Sequence, residues 1–469
     1  MASLLVQIAS YLPGIEEPEK EQSLKEMLMW TGIVLVVYYL LGSINLYGAH
    51  AASVEQALQR LQTFQTLLGA QIGSIITLGI GPIVTSSIVL QMLVGSELLP
   101  WDTNTQDGKR KFQSAQKVMA YGLSIVEAAG YVLSGTFGNV TGQPTVFFLL
   151  TFQIALGGII IILLDDLIQK WGFGSGTGLF IAAGVSKTIF VRIISPLTGT
   201  ASPDLYWTVS QGEPAGAIFK FIATQEKIAL IPILSTVAVF AAAVYMQSMK
   251  VEIPLTFGNA RGFGQKWPLK FLYTSNMPVI LIAAFVSNIQ IVGTTLAGQN
   301  GCSPLGCMSQ GTATSGLVAW LQAPTGFITS ILTGGLGNLS LMGSGSLFHV
   351  IFYMSVYTFG SVMFSFFWVK TSGQDADSVA DQIQQTGMKV PGFRKDKRII
   401  KKVLNRYIPG LTVLSGVAVG LLAAAANMTQ AAGGGTGTLL TVMIFYKLYE
   451  QLAQKHMEEL HPALKDFIQ

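Results

Sequence analysis

The sequence predicts an all-α membrane protein whose ten transmembrane helices form two inverted halves of five. Three observations carry this prediction. Half of the 469 residues are apolar and only 11% are charged, a balance that no soluble domain of this size needs. Apolar stretches close to the ~20 residues that cross a hydrocarbon core recur at about 31–49, 72–98, 116–137, 144–169, 177–197, 228–249, 274–296, 347–370, 408–427 and 436–454. Finally, helix-breaking residues recur at matching places in the two halves, and irregular backbone is tolerated in a membrane only where protein or water satisfies it.

An even number of spans puts both termini on one side, and Lys and Arg decide which side is cytoplasmic. With the N-terminus inside, 23 of the 28 positive residues fall on inward segments, nine of them at 370–406. The outward five are Arg60, Lys187, Arg192, Lys220 and Lys227. A net charge of +4 therefore conceals a strongly basic inner face, which predicts an acidic partner there.

Residues 1–30 read as a cytoplasmic surface segment. The opening "MASLLVQIASYLPGIEEPEKEQ" has no basic n-region and no small-residue cleavage pattern, so it is a poor signal peptide. Ser23 followed by Glu26 has the spacing of a capping box and predicts a surface helix, with Leu24, Met27 and Leu28 toward lipid headgroups.

The first half runs over 31–200. After its first span, "HAASVEQALQRLQTFQTLLGA" at 50–70 is too polar to cross the membrane and reads as a short helix. The second span contains "ITLGIGPIVTSSIVLQMLVG", with Gly79, Gly81 and Pro82 where a plain anchor would carry Leu or Ala. Pro82 reads as a break inside the helix that leaves a carbonyl of the preceding turn without its partner. Ile80 and Val84, four residues apart, share one helix face. The fifth span opens with "GFGSGTG" at 172–178 and continues to Ile181.

A Pro- and Gly-containing outward loop near 199–226 divides the chain. The second half, 201–454, echoes the first: the seventh span begins "SNMP" at 275–278, ending on Pro278 with Ile280 next, and the tenth opens "GGGTG" at 433–437, just before Leu440. Basic inward loops occupy 250–272 and 371–406, and 455–469 forms an inward tail. The long outward loop, 297–346, holds both cysteines, Cys302 and Cys307, in "GCSPLGC". A small local disulfide and two free thiols both fit that spacing, whereas C-x4-C does not specify zinc.

Several functions lack their chemistry. Ion channels need carbonyl or charged rings, and coupled transporters need buried ionisable groups. Away from span ends the spans carry essentially one, Glu127; Asp165 and Asp166 sit at the inner end of the fourth span. There is no G-x4-G-K-S/T, and "DGKR" at 107–110 lacks the glycine loop. No H-E-x-x-H occurs; "HMEELH" at 456–461 reads as a solvated helix end, and "GSGS" at 343–346, with only His349 nearby, as loop glycines. Neither catalysis nor a metal or cofactor is expected.

At "ITLGIGPIVTSSIVLQMLVGS", "GSGTGLFIAAGVSKTIF", "VEIPLTFGNARGFGQKWPLKFLYTSNMPVILIAAFVSNIQ", "GFRKDKR" and "GGGTGTLLTV" the chain resembles the SecY family, the pore subunits of archaeal and eukaryotic-type protein translocons. The likeness runs in order from about Trp30 to the "ELHPAL" tail. It implies a clamshell of two inverted halves around an hourglass pore. That pore would pass unfolded secretory chains outward and release apolar segments sideways into lipid, in an archaeal plasma membrane. Carried over residue by residue, the waist of the pore is Ile80, Val84, Thr177, Ile181, Ile280 and Leu440, with Thr177 departing from the apolar pattern. The segment at 50–70 becomes a plug. Thr85, Glu127 and Asn288 match the polar cluster of a lateral gate, where Glu127 stands in place of a frequent amide. A carboxyl there is expected protonated or tightly hydrogen-bonded, since a bare charge costs several kcal/mol.

The basic loops resemble ribosome-docking loops, with Arg261 and Arg394 at the family's key positions and Lys395, Lys397 and Arg398 thickening the patch. Implied partners are a SecE or gamma subunit, a SecG or beta subunit, the ribosome through its rRNA, the nascent polypeptide with its signal sequence, and membrane lipid. A secondary transporter of a small solute is the alternative that an inverted repeat also suits, and an insertase-only scaffold is a third; the shortage of buried charge and the basic loops speak against the transporter.

Overall fold

The computed structural model describes residues 2–20, 22–50, 53–54, 65, 68–96, 98–101, 103, 105–138, 143–195, 216–225, 227–257, 264–274, 276–297, 301–309, 312–324, 327, 346–385, 388–389, 397–429 and 431–460. In chain order its helices and strands are α1 (Ala2–Tyr11), α2 (Leu24–Ser43), α3 (Gly81–Gly95), α4 (Gln106–Leu133), α5 (Pro144–Trp171), α6 (Gly176–Ile194), α7 (Ala217–Thr224) and α8 (Ile231–Ser248). There follow β1 (Lys250–Phe257), β2 (Gly264–Lys270), α9 (Met277–Ala297), β3 (Cys302–Ser303), β4 (Gly306–Ser309), β5 (Thr312–Ala313), α10 (Gly316–Trp320), α11 (Leu347–Thr371), α12 (Ala376–Gln385), β6 (Met388–Lys389), α13 (Lys397–Met428) and α14 (Gly435–Leu460).

Among the described residues, ten helices run 15 residues or longer, one for each predicted span: α2 to α6, α8, α9, α11, α13 and α14. Six of the chain's helices are long and apolar enough to cross a membrane on length and composition alone. The molecule is an all-helical, multi-pass membrane fold with small sheets in its connections.

The N-terminus departs from expectation. Ser23 and Glu26 do form a reciprocal capping box, but it opens the first span itself; the separate helix is Ala2–Tyr11. An N-cap with satisfied N–H groups is as useful at the mouth of a span as on a surface helix, so the motif alone does not distinguish them. The connection is pinned to the middle of α4 and the end of α5. Ile15 N donates to Asp166 Oδ2 at 2.9 Å, Trp171 Nε1 to the Glu16 carbonyl at 2.8 Å, and the Tyr121 hydroxyl to the Pro13 carbonyl at 2.9 Å.

A larger difference concerns the second span. Residues 72–80 are apolar yet not helical, and the helix begins at Gly81. Ile72, Ile76, Leu78 and Ile80 are nevertheless buried, so their backbone has to be satisfied by protein. Leu46 N donates to the Gly73 carbonyl at 2.9 Å, Ile75 N to Ile44 at 3.0 Å, and Ile80 N to Leu68 at 2.9 Å. The Tyr38 hydroxyl bonds the Gly69 carbonyl at 2.6 Å. Gly79 has φ +53°, and a Cβ there would meet the Leu68 carbonyl oxygen at 2.3 Å, so both backbone and space require glycine.

Pro82 is therefore a helix start, not a mid-helix break. It stands second in α3, where its missing N–H costs nothing, and Pro278 stands second in α9 in the same way.

The two halves meet along two seams: α3 packs on α9 and α11, and α6 packs on α14. One continuous buried apolar cluster runs through both halves. On the face carrying the basic loops, β1, β2 and β6 form an antiparallel sheet of order β2-β1-β6, with Ile253 opposite Trp267 and Phe257 opposite Met388. Pro254 lies where β6 does not reach and Pro268 lies on the outer strand, the places where a sheet tolerates proline.

Leu269, Ala380, Ile383, Ile400 and Leu404 pack into a second buried cluster there, and Lys401 pairs with Asp377 at 2.6 Å. Lys270 pairs with Glu450 on α14. The Tyr273 hydroxyl bonds the Gln374 carbonyl at 2.5 Å; burial first, and then the Asp375 carboxylate, push its phenol above the ordinary range. At the other end of α9, Cys302 and Cys307 are a cross-strand pair joined by a disulfide, so the thiols are not free. Val318 N donates to the Leu305 carbonyl at 3.2 Å and Ser303 Oγ to Gly293 at 3.5 Å, seating this hairpin on the helix end.

The buried turns of 72–80 need room, and α5 provides it at Gly157, where a Cβ would lie 1.9 Å from the Ile75 carbonyl oxygen. Gly157→Ala is expected to cost about 1–3 kcal/mol by overpacking, seen as a lower unfolding midpoint in detergent. Gly122→Ala, with nothing within 4 Å of its Cβ, is expected to leave the midpoint unchanged.

Candidate functional site

α3, α9 and α14 begin in buried surroundings, and α6 begins just behind the exposed Ser175. The apolar residues singled out by the resemblance sit at these beginnings. Ile80 is the N-cap of α3, and its carbonyl accepts from Val84 N at 3.1 Å, which stacks Val84 one turn above it. Ile280 N is bonded to the Asn276 carbonyl at 3.3 Å in the first turn of α9. Ile181 and Leu440 lie in the second turns of α6 and α14.

All five belong to the same buried apolar cluster, with exposures of 0% for Ile80, Ile181 and Leu440 and 7% for Val84 and Ile280. Residues from both halves of the chain thus belong to one buried apolar cluster. Thr177 differs. It is only half-buried, its hydroxyl pairs with Ser175 Oγ at 2.8 Å, and its N–H donates to Asp165 Oδ1 at 2.7 Å.

The structure also brings together the three polar residues named for the seam. Asn288 Nδ2 donates to Thr85 Oγ1 at 3.3 Å, joining α9 to α3. Glu127 reaches the same place from α4: a Cβ on Gly81 would meet its Oε2 at 3.1 Å, so that glycine leaves space for the carboxyl. The other oxygen, Oε1, is buried with no hydrogen-bond partner among the described residues. Residues of α3, α4 and α9 are thus neighbours at the place where the halves touch.

Of the residues named for docking, Arg261, Arg394 and Lys395 lie outside the described residues, as does most of the 50–70 segment. Lys397 opens α13, and Arg398 beside it is exposed. The β1–β2–β6 sheet ties both basic loops to one platform, since β1 and β2 flank residues 258–263 and β6 directly precedes 390–396.

Sequence reading passed over Gln71 and Tyr38. Gln71 accepts from Lys187 Nζ at 3.5 Å, and its backbone N donates to the Ile76 carbonyl at 3.2 Å, at the entry to the buried turns. Tyr38 stacks on Phe180 with ring centroids 4.9 Å apart. Both hold the non-helical segment in place. Only a reader who already doubted the helix at 72–80 would have looked for them.

Comparison with known proteins agrees with this geometry. The SecY family model matches residues 74–449. The protein translocase subunit SecY of Methanocaldococcus jannaschii is 43% identical over 465 residues, covering 98% of both chains. A solved protein-conducting channel superposes with TM-score 0.82 at 41% identity, covering 98% of this chain and 99% of that one. Sec61 in a canine ribosome–channel complex from the endoplasmic reticulum superposes with TM-score 0.79 at 41% identity and the same coverage. Matched by the family model over residues 74–449 and by full-length relatives, the chain belongs to the SecY family.

Proposed function

We propose that this chain is the central subunit of a protein-conducting channel. Unfolded secretory polypeptides pass through the collar of Ile80, Val84, Thr177, Ile181, Ile280 and Leu440, and transmembrane segments leave sideways past Thr85, Glu127 and Asn288. The observation that carries this reading is that apolar residues from both halves, each at the start of a helix, meet in one buried cluster in a fold that matches a solved protein-conducting channel. An apolar collar offers no fixed hydrogen-bond partner, so it deforms around any side chain without holding it, and when closed it excludes water and ions. The burial of five of the six collar residues supports a collar that closes by apolar contact.

The remaining assignments follow from that role. The channel itself is not an enzyme, and its drive comes from outside, chiefly from the translating ribosome. The ribosome's rRNA phosphates meet Arg261, Arg394, Lys395, Lys397 and Arg398 on the basic side; in this reading both termini lie in the cytoplasm, and the membrane is an archaeal plasma membrane. The canine relative was solved in a ribosome complex, which supports this docking. Residues 50–70 act as the plug on the opposite side, and a SecE or gamma subunit and a SecG or beta subunit complete the assembly. No cofactor is needed.

Three outcomes test the assignment. Ile80→Ser combined with Val84→Ser raises resting ion conductance several-fold in planar bilayers while membrane insertion is unchanged; unaltered conductance contradicts the collar. Thr85→Val and Asn288→Ala in a double-mutant cycle show a coupling of about 0.6 kcal/mol, read as the change in signal-peptide-induced opening. Arg261→Ala and Arg394→Ala each weaken ribosome binding and lower its salt slope by about one, as expected for a lost phosphate contact.

A further inference from the structure

Two of the collar residues on the α6–α14 seam, Ile181 and Leu440, are set by a repeated device. In the first half Asp165, near the end of α5, accepts the N–H of Thr177 at 2.7 Å. In the second half Asn427, near the end of α13, accepts the N–H of Thr436 at 2.8 Å through Oδ1. Thr177 and Thr436 are each the second residue of their helix, so each bond satisfies one of the N–H groups that a helix start leaves without an internal partner. Ile181 and Leu440 each follow four residues later and stand above the capped residue on the same face.

Close backbone contact accompanies both caps. A Cβ on Gly176 would meet Asp165 Oδ1 at 2.5 Å and its Cα at 2.7 Å, and a Cβ on Gly435 would meet the Ala426 carbonyl carbon at 1.9 Å and Asn427 N at 2.0 Å. The Gly-Thr-Gly runs at 176–178 and 435–437 are thus the sequence trace of one geometry built twice.

The different residue types have a cause. The second oxygen of Asp165 accepts from Gln169 Nε2 at 2.8 Å, so two acceptors are needed. Asn427 instead donates through Nδ2 to the Tyr353 hydroxyl at 2.8 Å, so one acceptor and one donor are needed. Tyr353 lies on α11, which packs on α3 at the other seam, and Asn427 therefore touches helices of both seams.

We propose that Asp165 and Asn427 are a symmetry-related pair of positioning residues that fix the depth of Ile181 and Leu440 in the closed collar. This rests on the reading of those two as collar residues. Without the cap, the first turn of α6 or α14 loses its anchor, and the side chain one turn on no longer meets its neighbours from the other half.

The test is resting ion conductance of the complete channel complex in planar bilayers without substrate, with four variants. Asp165→Ala and Asn427→Ala are expected to raise conductance about tenfold, the order that follows from one lost buried hydrogen bond. Asp165→Asn keeps an acceptor for Thr177 N, and a half-turn of the Gln169 amide offers its oxygen to the new NH2, so this variant is expected to stay within about twofold of the parent. Ile181→Ser reports on the collar itself. If Ile181→Ser leaks and both alanine variants stay tight, the caps are not positioning residues and the collar reading stands. If Asp165→Asn leaks as much as Asp165→Ala, the acceptor is not what matters and the proposal fails. If Ile181→Ser is silent, the collar reading falls, and this one with it. A measurement without substitution serves where alanine variants do not fold: the Thr177 and Thr436 amides are expected to exchange slowly with deuterium in the parent complex, and rapid exchange at either overturns its cap.

Discussion

Everything in this molecule depends on how backbone N–H and C=O groups are satisfied where helices begin inside the membrane-spanning body. Lipid offers no hydrogen bonds, so each interrupted helix must find its partners in protein. Residues 72–80 find them in Ile44, Leu46 and Leu68, the start of α6 finds Asp165, and the start of α14 finds Asn427. At α3 and α9 proline removes the need for one donor. Residues from the starts of α3, α6, α9 and α14 all belong to the one buried apolar cluster.

Under the proposed function, a tight seal and a mobile seam draw on different interactions. The buried cluster is apolar, and contact between aliphatic side chains has no direction and no preferred partner. The seam between α3 and α9 carries the Asn288–Thr85 hydrogen bond, and such a bond within a membrane is worth roughly 1 kcal/mol. Fastenings of that size bias an opening without locking it. At the opposite seam α6 packs on α14, and each of these helices is anchored at its start by a cap from its own half.

The ten spans were legible because apolar length is a one-dimensional property, and the inverted halves because Gly and Pro fall at matching positions. Local geometry was less legible, for physical reasons. Residues 72–80 have the composition of a helix, and nothing in their order reveals that Ile44, Leu46 and Leu68 will supply other partners. Ser23 with Glu26 marks a helix start but not which helix. The β1–β2 hairpin is hidden by Pro254 and Pro268, harmless only because of which edges they occupy. The collar residues were named through family resemblance, since a lone Ile in a span carries no signal of its own. Asn427 carried even less, being one amide among apolar residues until the fold places it under Thr436.

The central claim is that polypeptides cross through the dry centre formed by both halves. The most direct measurement traps a stalled secretory chain in the ribosome-bound channel and asks for site-specific crosslinks from the middle of that chain to photoreactive residues at 80, 181 and 280. The account predicts crosslinks at all three positions and none to lipid-facing controls such as Val126 and Phe240. A stalled chain that crosslinks to the controls but not to the three collar positions would contradict it.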